Sequence, residues 1–270
     1  MDEIRLVVSD LDGCLLGEGS RLPAQFPEAL TAMQNRQVIF AAASGRSMPG
    51  VASVFGNLWE KMIMITDNGA CLWRGRERLW ADTIPRSEWY PVVTRARAIP
   101  GTVVIACGYS EAYIEHPETM DERTVRELRK YYPAWESANF DEMMGDMVKI
   151  AVMYLGDIEH VVYPVLRELE TDLVSVRVTP PTWMDIFDPR VSNGTGLARV
   201  QELLSVRPEE TVVFGDYLND RPMAEHAAKS FAPSNAHPQV QRAFSEVIGP
   251  NTEDSVVRKI LSLMVSQGEC

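Results

Sequence analysis

Four short segments of this 270-residue chain bring acidic, hydroxyl and glycine residues together at spacings that suit chemistry on a phosphate. The first is Asp10-Leu11-Asp12-Gly13-Cys14, reached directly from the apolar run Leu6-Val7-Val8. Alternation along a strand puts positions i and i+2 on one side. A strand that continues this far therefore aims Asp10 and Asp12 at one place, where the chain turns at Gly13. Two carboxylates held so close repel each other, and such a site needs a raised pKa or a bound cation. An oxygen-rich site of this kind suits Mg²⁺, which keeps waters and shares its shell with a substrate phosphate. The second segment is Ser44-Gly45-Arg46, and the third is Ser192-Asn193-Gly194-Thr195. The fourth is Gly215-Asp216-Tyr217-Leu218-Asn219-Asp220.

The elements that must hold these segments alternate in type. Ile4–Ser9, Val38–Ala43, Met62–Thr66, Thr211–Phe214 and Ser230–Ala232 read as strands. Pro23–Asn35, Leu197–Leu204 and Asp220–Ala228 read as helices. Strands alternating with helices predict βαβ units and a parallel sheet covered on both faces. Ligands of such sheets bind beyond the carboxyl ends of the strands, so all four segments are expected on one rim.

The middle of the chain has a different pattern. Thr102–Cys107 and Glu111–Glu115 are β-rich runs split by Gly108-Tyr109-Ser110, a hairpin by its turn residues. Helical patterns at Asp121–Lys130 and Ile158–Glu170 alternate with strand patterns at Val148–Leu155 and Leu173–Val178. Pro85 and Pro180-Pro181 punctuate the two edges. The expected fold is α/β: a Rossmann-like parallel-sheet core from residues 1–82 and 185–270, with an inserted α/β domain at 83–184.

Composition narrows the partners. Lys and Arg total 26 against 38 Asp and Glu, a formal net charge of -12. That balance argues against nucleic acid and against an anionic membrane surface, both of which select basic patches. It leaves room for a small anionic substrate, because a metal reverses the field locally. Cys14, Cys71, Cys107 and Cys270 show neither zinc spacing nor a disulfide framework. The acidic start Met1-Asp2-Glu3 is unlike a secretory signal, and no apolar run reaches spanning length. A cytoplasmic location is the expectation. Nothing in the sequence fixes the oligomeric state.

The order and spacing of the four segments resemble the haloacid dehalogenase-like (HAD) hydrolases, and specifically their Cof-type sugar-phosphatase branch. Thr66-Asp67-Asn68-Gly69-Ala70 resembles that branch's Asn-Gly-Ala strand end. Gly215–Met223 is similar to its Gly-Asp-x-x-Asn-Asp-x-x-Met run, and Ser234-Asn235-Ala236 falls at its Asn-Ala element. The resemblance implies that Asp10 is a nucleophile forming an aspartyl phosphate and that Asp12 is the general acid and base. It implies Mg²⁺ held by the Asp10 carboxylate, the Asp12 backbone carbonyl and Asp216, with Asp220 orienting the ligands. Ser44 and Gly45 would bind the phosphate, with Asn193 and Asn219 beside them. The insert would be a cap that selects the substrate. Its candidate contacts are Tyr109, Tyr113, His116, Trp135, Trp183, Asp185 and Lys149.

One departure changes the charge of the site. The branch carries a lysine where this chain has Asn193, so Asp10, Asp12, Asp216 and Asp220 lack a cation that the pattern supplies. Arg190 is the expected substitute, because its planar fork suits phosphate; Arg46 and Lys149 are the other candidates. Cys14 stands where the branch has threonine and reads as a buried small residue. The leading expectation is a Mg²⁺-dependent phosphomonoester hydrolase acting on a small phosphorylated metabolite, a sugar phosphate, through an aspartyl-phosphate intermediate. The alternatives are a phosphotransferase or phosphomutase using the same aspartate, and a catalytically impaired phosphometabolite-binding protein.

Overall fold

The computed structural model describes residues 3–179 and 181–266, so Pro180 and Cys270 lie outside the described residues. The chain divides into two compact units. The first comprises Met1–Arg46, Val51–Trp80 and Ser192–Cys270; the second comprises Ser47–Gly50 and Ala81–Val191.

The first unit is built on an eight-stranded sheet. Its strands are β1 (Leu6–Asp10), β2 (Ile39–Ala43), β3 (Ile63–Thr66), β4 (Cys71–Arg74) and β5 (Glu77–Ala81), joined later in the chain by β12 (Thr211–Phe214), β13 (Lys229–Pro233) and β14 (Glu246–Ile248). The order across the sheet is β14-β13-β12-β1-β2-β3-β4-β5. From β14 to β3 every pairing is parallel, and β4 then turns back antiparallel on β3. Every residue of β1 is buried, as expected for a parallel strand covered on both faces. Leu197 and Val200 of the helix Asn193–Leu204 pack with Leu6, Val8, Ile65 and Val213 in one core. Phe26 of the helix Phe26–Asn35 meets Phe40 edge-on, with ring centroids 5.1 Å apart.

Strand β1 is flanked by β2 on one side and by β12 on the other. The chain thus leaves β1 in one direction and returns beside it from the opposite direction. That reversal opens a crevice at the carboxyl end of β1, where Asp10 is the last strand residue.

The second unit holds a six-stranded sheet of β6 (Thr102–Cys107), β7 (Ala112–Ile114), β8 (Glu136–Ser137), β9 (Lys149–Tyr154), β10 (Ser175–Thr179) and β11 (Trp183–Phe187). Their order across the sheet is β10-β11-β9-β6-β7-β8. The helix Arg86–Arg97 covers one face, where Trp89, Val92 and Val93 pack on Val104, Ala106, Ile150 and Val152. The opposite face carries Ile105, Cys107, Ala151, Met153 and Trp183, with Leu128 and Tyr132 against them. The expected insert edge at residue 184 falls inside β11, whose antiparallel pairing with β9 and β10 keeps it in this sheet.

Two expected helices take other forms. Asp220–Ala228 is instead a run of 3₁₀ turns over Leu218–His226 with Pro222 inside it. Ile158–Glu170 breaks into Ile158–Val161, Tyr163–Leu166 and a 3₁₀ turn at Arg167–Leu169. Proline lacks the N–H that a continuous helix needs, and Pro164 sits in the first turn of the second piece. No helix among the described residues is long and apolar enough to cross a membrane.

Candidate active site

The carboxyl end of β1 leads straight into the turn Leu11–Leu15. Gly13 makes that turn possible. Its φ is +85°, and a Cβ there would lie 2.4 Å from Asp216 Oδ2, so a side chain would meet both backbone strain and a clash. The close approach brings Asp216, which directly follows Gly215 beyond β12, against the β1 turn.

Asp10, Asp216 and Asp220 each offer an oxygen within 4.8 Å of the other two, an arrangement that could hold a metal ion. Burial pushes the Asp10 carboxyl well above its ordinary value, and Asp220, Asp216 and Asp12 push it further. Asp216 is raised to about 7, by burial first and by Asp220 second. Asp220 is raised to about 6 by burial, against the pull of the Tyr217 N–H, the Asn193 amide and the Asp216 N–H. Three crowded carboxylates that resist ionisation are what a cation would relieve. Asp216 Oδ1 is buried without a hydrogen-bond partner. Hard oxygen donors and an unsatisfied acceptor fit Mg²⁺.

Asp220 organises its own loop. Its Oδ2 accepts from the backbone N–H groups of Asp216 and Tyr217, each at 3.1 Å. Its Oδ1 accepts from Asn193 Nδ2 at 2.8 Å. Asn193 opens the helix Asn193–Leu204 and is fully buried. A reciprocal capping box fixes that start: Ser192 Oγ accepts from the Thr195 N–H, and Thr195 Oγ1 accepts from the Ser192 N–H. The residue in the place of the branch's lysine thus contributes a neutral hydrogen bond to the acidic cluster.

Ser44 directly follows β2 and is buried, with its Oγ accepting from the Arg46 N–H at 3.1 Å. The neighbouring loop after β3 is laced to it. Asn68 N–H donates to the Ser44 carbonyl and Asp67 N–H to the Arg46 carbonyl, both at 3.0 Å. Asp67 and Asn68 both have left-handed φ values, 54° and 58°, which Asp and Asn tolerate better than most residues. Asn219 Nδ2 reaches Asn68 Oδ1 at 3.4 Å, and a Cβ on Gly45 would lie 3.1 Å from that same oxygen. Asn68 therefore belongs with Ser44, Gly45 and Asn219. Its position in the Asn-Gly strand-end motif was the sequence signal for it.

The Asp12 carboxylate stands apart from the cluster of three. Both of its oxygens accept from the Arg46 guanidinium, with Nε at 2.7 Å from Oδ2 and Nη2 at 2.5 Å from Oδ1. Sequence reasoning left this partner unassigned.

Arg190, the expected substitute for the lysine, is engaged elsewhere. Its Nε and Nη2 grip Asp188, and its backbone N–H donates to Asp188 Oδ1 at 2.9 Å. Asp188 is buried only two residues upstream, so it captures the guanidinium locally and is held below the usual carboxylate range by it. Lys149 is buried in the second unit, with its Nζ 3.9 Å from Asp185 Oδ1. Trp183 is buried there against Tyr131 and Tyr132, whereas His116 is exposed beside Glu118. Tyr109, Tyr113 and Trp135 are half-buried. Cys14 is buried 3.8 Å from Ser9 Oγ, and burial together with Asp10 pushes its thiol well up, which leaves it inert as a nucleophile.

The chain resembles known proteins along nearly its whole length. The family profile of the haloacid dehalogenase-like hydrolases matches residues 7–260. A 5-amino-6-(5-phospho-D-ribitylamino)uracil phosphatase of Escherichia coli is 26% identical over 260 residues, covering 94% of each chain. A phosphatase of the same name from Bacillus subtilis is 22% identical, covering 96% of this chain and 95% of its own. Among solved structures, a haloacid dehalogenase-like hydrolase from Bacteroides thetaiotaomicron superposes with a TM-score of 0.84 at 22% identity, over 97% of this chain and all of that one. A HAD subclass IIB sugar phosphatase superposes with a TM-score of 0.77 at 22% identity, over 96% and 98%. At such identities the structural likeness concerns the fold, and the profile match carries the assignment: the chain belongs to the haloacid dehalogenase-like hydrolase family, among its Cof-type phosphatases.

Proposed function

We propose that this phosphatase is Mg²⁺-dependent, hydrolyses a sugar or polyol phosphate, and carries the phosphoryl group on Asp10. The observation that supports this most is the buried Asp10 carboxylate at the end of β1, with oxygens of Asp216 and Asp220 within 4.8 Å. The two named relatives act, by their names, on a phosphorylated ribityl compound, and that substrate class is the one we favour.

In this reading an Asp10 oxygen attacks phosphorus, and the ester P–O bond breaks as the new bond forms. Asp12 gives its proton to the departing alkoxide. It then takes a proton from water, which attacks the same phosphorus and releases Asp10. Asp10, Asp216 and the Asp12 carbonyl would hold Mg²⁺, with Asp220 beside them. When bound, the ion offsets the charge that otherwise keeps a carboxylate from a phosphate dianion. The Ser44 hydroxyl and Gly45 N–H donate to phosphate oxygens, with Asn219 and Asn68 closing the loop around them. Asp220 fixes the Asp216 loop through its three accepted hydrogen bonds. Residues 81–191 are proposed as the cap that chooses the organic group. The buried, reduced cysteines Cys14, Cys71 and Cys107 suit a reducing compartment, the cytoplasm.

A second reading, phosphometabolite binding without turnover, is favoured by one observation. Asn193 brings hydrogen bonding but no charge to the acidic cluster. A panel of phosphorylated sugars and polyols, assayed for released phosphate with and without Mg²⁺, separates the two. Release that needs Mg²⁺ and vanishes in Asp10→Asn supports hydrolysis. Binding of the same compounds with no release supports the second reading. Release that persists in Asp10→Asn contradicts the role given to Asp10.

A further inference from the structure

The phosphate still lacks a cationic partner. Asp10, Asp12, Asp216 and Asp220 bring four carboxylates, and a phosphate dianion adds to that charge. A divalent metal offsets only part of it. Asn193 adds no charge, Arg190 is gripped by Asp188, and Lys149 lies near Asp185.

Arg46 differs from these in both anchorage and partner. Its backbone is fixed at both ends, with its N–H on Ser44 Oγ and its carbonyl accepting from Asp67 N–H. Its guanidinium is held by one carboxylate, Asp12, with Ser20 Oγ at 3.5 Å as a marginal contact. The Asp12 side chain is 48% exposed and that of Arg46 22%. The carboxylate end of this pair is open to water, where charge is screened, unlike the buried Asp188 that holds Arg190, so its partner can be exchanged. The fork that fits a carboxylate also fits two oxygens of a phosphate, which carries more charge. Arg46 stands two residues beyond Ser44, and Asp12 two beyond Asp10, so the pair bridges the two turns given to the transferred group.

We propose that Arg46 is the guanidinium that binds the substrate phosphate, resting on Asp12 until phosphate arrives and releasing Asp12 when it does. The proposal rests on the phosphatase reading above and adds a binding residue to it. It also gives the exchange an order: Asp12 becomes free of its ion pair only once phosphate is in place.

Calorimetric titration of inorganic phosphate into Mg²⁺-saturated protein at fixed pH tests this separately from turnover. Arg46→Ala is expected to weaken phosphate binding about tenfold or more, with Mg²⁺ affinity within about twofold of the parent. Arg46→Lys, which keeps the charge and loses the fork, is expected to fall between. Arg46→Gln decides the matter if the alanine variant does not fold. Phosphate binding within about twofold of the parent in the Ala or Gln variant overturns the proposal, as does a parent that binds no phosphate. If the variants lose phosphate but the parent hydrolyses no phosphomonoester, Arg46 keeps its role and the phosphatase reading falls.

Discussion

Replacing Asp216 by asparagine is predicted to stabilise the metal-free protein at pH 8, although the residue belongs to the candidate metal cluster. Burial and the Asp220 charge raise the Asp216 carboxyl from 3.8 to about 7. The folded chain therefore holds this proton more tightly than the unfolded chain does. The associated stability is fully present below pH 3.8 and is lost as pH rises through about 7. Ionising the group in the fold at pH 8 costs on the order of 4 kcal/mol, at about 1.4 kcal/mol for each tenfold change. Asparagine keeps the shape and removes the charge. Its amide nitrogen can face Asp10, an oxygen of which lies within 4.8 Å of one of Asp216. Its oxygen keeps the unpartnered buried place of Oδ1. Asp10 and Asp220 still repel each other, so part of the cost remains, and roughly 1–3 kcal/mol of stabilisation is expected. For a chain of this size that is about 2–4 °C in melting temperature per kcal/mol. Melts in a chelator from pH 4 to pH 8 should show the two proteins converging at the acid end and the variant ahead at the alkaline end. Added Mg²⁺ should stabilise the parent and leave the variant nearly unchanged. A variant that melts at or below the parent at pH 8 in chelator would refute the reasoning.

Two further outcomes follow from the site. Asn193→Lys places an ammonium beside Asp220, where the amide now donates at 2.8 Å, and is expected to raise the melting temperature in chelator at pH 8 and turnover about tenfold; unchanged turnover would mean the missing charge does not limit the reaction. Gly13→Ala forces a Cβ to within 2.4 Å of Asp216 Oδ2 at a φ of +85°, and should weaken Mg²⁺ binding in calorimetry about tenfold while costing roughly 1–3 kcal/mol of stability.

The core was legible because its strands end in chemistry. Apolar runs such as Leu6–Val8 and Thr211–Phe214 terminate in aspartates, and the parallel sheet gathers those ends on one rim. The second unit was less legible. Its strand Trp183–Phe187 carries Asp185 in the middle, and its helix Arg86–Arg97 contains Pro91; both interrupt the periodicity that marks such elements. Pro164 and Pro222 likewise break patterns that look continuously helical by polarity alone. Pairings between distant residues were beyond reach, since nothing in the order of residues tells that Arg46 will fork onto Asp12. Arg190 is the opposite case. Its captor Asp188 lies two residues away, and a local acidic neighbour was visible in the chain.

The central claim is that Asp10 takes the phosphoryl group. Acid-quenching the enzyme during turnover with Mg²⁺ and a hydrolysed sugar phosphate, then mapping its peptides by mass spectrometry, reads that step directly. A phosphoryl group on the peptide containing Asp10, absent from Asp10→Asn, is the predicted result. Turnover with that peptide unmodified, or with the phosphoryl group on another residue, would contradict the account.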